Sequence, residues 1–254
     1  MLPTLSIGPL AIPAYPFFVL LAFWAGMWLT AHRSEQLGID GDHAYNAGLY
    51  GFIAGIIGAR LWFVLSHWEN YAGDIGQAFS LSRSALATEE GLIIGALVVF
   101  IYLQRSNVPL GTFLDAAAPG LVLAAAVIHV GAFLGGTSLG APTTVPWAVN
   151  IAGAARHPVQ LYAAAASLLI LAAVWWSSYR PWPGFQFWLV IALYAGSRLF
   201  LEIFKARPPT VGDGYLSVQV FSLIVIVLSL AVMAHRFTTQ VTYTESVATS
   251  LEAR

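Results

Sequence analysis

The sequence predicts an all-α membrane protein, a bundle of seven transmembrane helices with the N-terminus outside and the C-terminus in the cytoplasm. Three observations carry that expectation. Hydrophobic residues make up 58% of the 254 and charged residues only 9%, where a soluble domain carries about 25% charged. Mean hydropathy is +0.75. Seven apolar runs, each close to the roughly 20 residues a helix needs to cross a bilayer, follow one another with short joints: 14–31, 47–66, 88–104, 116–134, 158–177, 184–203 and 215–235. Residues 1–236 are read as a single transmembrane domain, and the Thr- and Ser-rich stretch 237–254 as a disordered cytoplasmic tail.

Run one opens on Tyr15, with no Lys or Arg before it and no small-residue cleavage pattern after it, so it is read as a retained helix rather than a signal peptide. Run two carries Gly51 and Gly55, a small-xxx-small spacing that lets helices approach closely, and places Arg60 in its outer half. Run three starts outside with Glu89 and Glu90, after a Ser-rich outer segment at 67–87. Run four ends outside with His129 near its exit. The longest connection, 135–157, holds Gly135, Gly136, Gly140, Pro142, Pro146 and Trp147, and reads as an apolar loop on the outer membrane surface, a lid in form. Run five opens at His157-Pro158, with Pro158 at the first helical position. His157 and Gln160 then sit at the positive end of a helix, which favours an anion. Run six carries Tyr194, Arg198 and Glu202 at i, i+4 and i+8, one face that Lys205 continues.

Orientation follows from the basic residues: Arg33, Arg105, Arg180, Arg236 and Arg254 fall inside, and Arg83, Arg156, Lys205 and Arg207 outside. The margin is small and improves if some outer cations serve a site. Trp and Tyr at run ends, Trp28, Trp68 and Trp147 among them, are read as interfacial anchors.

Several function classes are excluded by composition. Eleven basic residues against twelve acidic give a net charge of -1 with no basic stripe, so no nucleic-acid partner is expected. Without cysteine there is no disulfide, thiolate metal site or thiol nucleophile of the chain's own. His32, His43, His67 and His235 lack ligand spacing, and neither a metal nor a cofactor is expected. A solute transporter needs a polar path through both membrane halves, and the inner halves are almost uniformly apolar. What remains is a convergence at one depth. A charge in hydrocarbon costs at least about 2.5–3.5 kcal/mol and persists where it is paired or functional; Tyr15, Arg60, Glu89, His129, His157, Arg198 and Glu202 all reach the same outer level. Arg198 and Glu202 either neutralise each other or bind. Arg60 and Arg198 together suit one phosphodiester, since a guanidinium makes two parallel charge-assisted bonds. A His-Pro pair at a helix start caps as readily as it catalyses.

The chain resembles the bacterial prolipoprotein diacylglyceryl transferases through Leu5-Ser6-Ile7-Gly8-Pro9-Leu10, Met27-Trp28-Leu29, Gly58-Ala59-Arg60-Leu61, Gly91-Leu92-Ile93, Asp115 with Pro119 before helix four, His157-Pro158-Val159-Gln160-Leu161-Tyr162, and Arg198 with Glu202. The resemblance implies a multi-pass enzyme of the bacterial plasma (inner) membrane. It would move diacylglyceryl from phosphatidylglycerol onto the lipobox cysteine thiol of a prolipoprotein signal peptide, releasing glycerol 1-phosphate. It further implies a catalytic set of His157, Arg198 and Glu202, with His157 as the base that takes the thiol proton. The substrate-binding set is Tyr15, Arg60, Glu89, His129, Gln160, Tyr162, Tyr194 and Lys205. Four positions depart from the family pattern. His129 and Ala132 stand where a GRxGNFxNGE string has Arg and Asn, Glu89 where the family has His before GLIG, and Ala163 where a Glu follows HPxQLY. The alternative is a non-catalytic phospholipid-binding or assembly protein that keeps the scaffold.

Overall fold

A computed structural model describes residues 4–7, 10–71, 73, 76, 87–151, 153–177, 179–206, 210–211 and 215–252. Among the described residues eight α-helices dominate: α1 (Ala14–Gln36), α2 (Asp42–Ser66), α3 (Trp68–Tyr71), α4 (Thr88–Arg105), α5 (Leu110–Leu134), α6 (Val159–Trp176), α7 (Phe185–Leu201) and α8 (Ser217–Glu252). Six of them, α1, α2, α5, α6, α7 with its following turn, and the Ser217–Thr239 part of α8, are long and apolar enough to cross a membrane. The run expected at 88–104 forms α4, 18 residues that carry Glu89 and Glu90 in the first turn and Arg105 in the last. Helix α8 continues to Glu252, into the stretch that composition assigns to a tail.

The fold is not purely α. Three antiparallel hairpins sit at helix ends: β1 (Thr4–Ile7) with β2 (Leu10–Pro13), β3 (Val149–Ile151) with β4 (Ala154–Arg156), and β5 (Thr210–Val211) with β6 (Tyr215–Leu216). Strands of two to four residues leave no alternation long enough to read in a sequence. Asp115, expected just before the fourth run, lies inside α5 together with Pro119.

The chain divides into two compact units, Met1–Thr30 with Leu114–Arg254, and Ala31–Phe113. In the smaller unit α2 and α4 pack along their lengths. A Cβ added at Gly95 would stand 2.7 Å from the Gly51 carbonyl oxygen, and one at Gly91 would stand 2.6 Å from the Ala59 Cβ. Glycine is required there for backbones to meet, as the Gly51/Gly55 spacing suggests. In the larger unit the core joins α5, α6 and α7 through Ala118, Val122, Ile170, Val174 and Val190, with Leu171, Phe187 and Tyr194 against them. Asp115, buried in α5, accepts hydrogen bonds from the Gly184 N–H (2.8 Å) and the Phe187 N–H (3.1 Å), capping the start of α7. Outward positions are apolar: Leu92 and Leu169 are each 71% exposed. Such surface is costly in water and stable against lipid.

Candidate active site

The site of the larger unit is assembled by the connection between α5 and α6. It is not a loose surface loop: its residues 139–143 run extended between two other stretches of backbone. On one side the Ala141 N–H donates to the Phe204 carbonyl (2.7 Å) and the Ala206 N–H to the Leu139 carbonyl (3.0 Å). On the other the His157 N–H donates to the Ala141 carbonyl (3.1 Å) and the Thr143 N–H to the Ala155 carbonyl (3.0 Å). Gly140 pairs with Lys205 and Pro142 with Arg156 as isolated antiparallel bridges. Gly140 lies directly against the His157 carbonyl, in space that any Cβ would fill. Two side chains fasten the segment further. Arg156 Nη1 donates to the Gly140 carbonyl at 3.1 Å, and the Gln160 amide donates to the Ser138 carbonyl. Three stretches distant in sequence are thereby held in one register, which sets His157 beside the end of α7.

There α7 passes into a 3-10 turn, Glu202–Phe204. Glu202 is 1% exposed; its Oε1 accepts a hydrogen bond from the Lys205 ammonium at 2.9 Å, while Oε2 lies 2.8 Å from the same nitrogen as an ion pair outside hydrogen-bond geometry. Arg198 Nη2 stands 3.6 Å from Oε2, an ion pair rather than a hydrogen bond. One carboxylate between two cations leaves the group with one net positive charge, and Arg198 remains 26% exposed. A buried carboxylate is tolerated only with such partners. One turn back along the same face, the Tyr194 hydroxyl lies 3.0 Å from His129 Nε2, with the two rings nearly parallel. The phenol ring of Tyr162 and the imidazole of His157 pack on Phe204, whose centroid is 5.0 Å from that of His157. The Tyr162 hydroxyl is 3.1 Å from His157 Nδ1 and accepts the Trp147 indole N–H at 2.7 Å.

The structure therefore brings together His157, Gln160, Tyr162, Arg198, Glu202 and Lys205, with Tyr194 and His129 adjoining. Tyr15 starts α1 against Gly135, just past the end of α5 that carries His129. Two features differ from expectation. Helix α6 begins at Val159, with Pro158 before it rather than within its first turn. Gln160 is buried and commits its amide N–H to Ser138, while its Oε1 has no hydrogen-bond partner among the described residues. Arg60 and Glu89 belong to the smaller unit. Arg60 is buried on α2 with its guanidinium 5.9 Å from the Phe63 ring and 5.4 Å from the Tyr71 ring, a cation–π arrangement. Glu89 is exposed in the first turn of α4. Arg83 and Arg207 lie outside the described residues. Among the described residues no three His, Asp or Glu side chains converge as metal ligands would.

Comparison with known proteins adds a family to this geometry. The model of the prolipoprotein diacylglyceryl transferase family matches residues 3–235. The chain belongs to that family. Relatives include phosphatidylglycerol--prolipoprotein diacylglyceryl transferases of Corynebacterium diphtheriae, 27% identical over 252 residues covering 89% of each chain, and of Corynebacterium efficiens, 28% identical over 89% of this chain and 78% of the relative. A protein named phosphatidylglycerol--prolipoprotein diacylglyceryl transferase 2 from Streptomyces coelicolor is 30% identical over 79% of this chain and 68% of its own. As a diacylglyceryl transferase family member the chain is a multi-pass membrane enzyme, and the candidate site includes residues that sequence reasoning passed over. Trp147, read as an anchor, is one; Gly140 and Phe204 are others. Only the loop's unusual density of Gly, Pro and Trp hinted that it folds back.

Proposed function

We propose that the chain is a phosphatidylglycerol–prolipoprotein diacylglyceryl transferase of the bacterial plasma membrane. Its seven spans comprise the six long apolar helices and α4, with the N-terminus outside, which places the His157/Glu202 cluster toward the outer leaflet. The cysteine thiol of the incoming prolipoprotein attacks the glyceryl C3 carbon. An S–C bond forms, the C–O bond to phosphate breaks, its electron pair leaves on the phosphate oxygen of glycerol 1-phosphate, and the thiol proton passes to the departing phosphate or to water. Negative charge grows on the departing phosphate, so fixed positive groups at that spot accelerate the step. Arg198 and Lys205 supply them, held in place by Glu202, with His157 alongside. Tyr15, Tyr194 and His129 border the head group.

The observation that carries this reading is the buried Glu202 carboxylate gripping Lys205 and Arg198 at the end of a helix able to cross a membrane. An ion cluster of that kind, with one positive charge in excess, is costly in a bilayer unless an anion completes it. The test is purified protein with phosphatidylglycerol and a lipobox peptide. Mass spectrometry is expected to find the thioether-linked diacylglyceryl peptide, with glycerol phosphate released in equal amount. Lipid binding without adduct, beside an active transferase assayed in parallel, supports instead a non-catalytic lipid-binding protein on the same scaffold.

A further inference from the structure

The exposed Trp147 does more than touch the membrane interface, because its indole nitrogen starts a chain of hydrogen bonds that ends on His157. An indole N–H is a donor only, so the Tyr162 oxygen must accept at the 2.7 Å contact. The phenol has one proton of its own to give. Among the described residues the other polar atom set against it is His157 Nδ1, at 3.1 Å. A neutral imidazole carries its proton on one nitrogen and a lone pair on the other. If Nδ1 held the proton, the Tyr162 oxygen would accept twice and the phenol proton would face no acceptor there. If Nδ1 is bare, every group in the chain is satisfied and the imidazole proton sits on Nε2. Among the described residues no hydrogen bond engages Nε2, and the ring packs on Phe204, inside the turn between Glu202 and Lys205.

We propose that Trp147 and Tyr162 are positioning residues that hold His157 as the Nε2–H tautomer, so that the imidazole meets the anionic head group as a hydrogen-bond donor. The role rests on the transferase reading above and replaces that of a base for the thiol proton, which would need a bare Nε2. The α5–α6 connection thereby takes part in setting the imidazole. Trp147 lies just before β3 and Tyr162 in the first turn of α6, so the chain of hydrogen bonds is complete only when the hairpin lies over the helix start.

The full chain, labelled with 15N-histidine in lipid nanodiscs, tests this directly. The ring nitrogen signals of His157, assigned by their loss in His157→Gln, should show a protonated Nε2 and a bare Nδ1. Trp147→Phe keeps an aromatic ring, smaller than the indole, and deletes the N–H, and Tyr162→Phe deletes the link; each should move the signals toward a mixture of tautomers. In transfer assays Trp147→Phe should lower kcat/KM for phosphatidylglycerol about tenfold, by analogy with the low end of the loss when a group orienting a metal-bound imidazole is removed. The double variant should be no worse than Tyr162→Phe, since one acts through the other. A wild-type His157 protonated on Nδ1, an unchanged Trp147→Phe spectrum, or fully additive losses would overturn the proposal. The spectra decide the tautomer whatever the transfer assay gives, so failure of the proposed activity leaves this test standing.

Discussion

Glu202 hydrogen-bonds Lys205 through Oε1 and holds Arg198 only as an ion pair at the longer distance of 3.6 Å, so the two cations are unequally tied. Arg198, more weakly held and 26% exposed, is the one able to turn to a phosphate. Arg198→Ala should therefore weaken phosphatidylglycerol binding or transfer by about 10- to 150-fold, the loss of one hydrogen bond to a charged group at about 1.5–3 kcal/mol. Kinetics at varied lipid content measure it, and an unchanged rate removes the arginine from the site. Glu202→Gln works in the opposite sense on binding. It frees both cations from their internal counter-charge, so KM for the anionic lipid should fall, while kcat falls too because nothing fixes the cations against the leaving group. A third test concerns His129, whose partner is Tyr194 rather than any acid. An imidazole lacks the permanent charge and two-pronged geometry of a guanidinium, so His129→Arg combined with Ala132→Asn should raise the transfer rate, read in single turnover.

Between elements, backbone proximity is the controlling quantity. A Cβ at Gly140 runs into the His157 carbonyl, and neither backbone has room to yield while the 139–143 ladder is intact. Gly140→Ala should lower Tm in detergent, with overpacking worth about 1–3 kcal/mol, and should reduce transfer by shifting His157 from Phe204. Gly91→Ala meets Ala59 and the Gly55 carbonyl and should loosen α2 from α4 by a similar amount. Gly196, in α7, has open space where its Cβ would go. There alanine gains up to about 1 kcal/mol of helix propensity, so Gly196→Ala should raise Tm where the other two lower it. A fall in all three would mean that glycine acts here through something other than packing.

At the scale of the whole chain, bilayer thickness dictates the architecture and the absence of cysteine makes it easy to test. Thr144 is exposed in the α5–α6 connection and Gln104 near the end of α4; the proposed topology, N-terminus outside, puts the first in the external medium and the second in the cytoplasm. Thr144→Cys should react with a membrane-impermeant maleimide in intact cells, and Gln104→Cys only after permeabilisation. Reversed labelling would invert the topology and move the cation cluster to the wrong leaflet for an exported acceptor.

Hydropathy alone locates the long helices, though not their ends, because hydrocarbon demands about 20 apolar residues and a closed hydrogen-bond ladder from any chain that crosses it. The ion cluster is equally legible: Arg198, Glu202 and Lys205 lie three and four apart on one helix and its extension, where geometry is local and periodic. The small hairpins are not, and neither is the fact that Asp115, expected ahead of a helix, sits within one and caps another. Contacts of that kind join segments far apart in the chain, and no periodicity encodes them. Tyr162 follows Trp147 by fifteen positions with β3 and β4 between, and Lys205 follows Gly140 by sixty-five. Only when residues 139–143 are threaded between two other stretches of backbone do an apparent membrane anchor, a helix-start histidine and a buried carboxylate come to lie together.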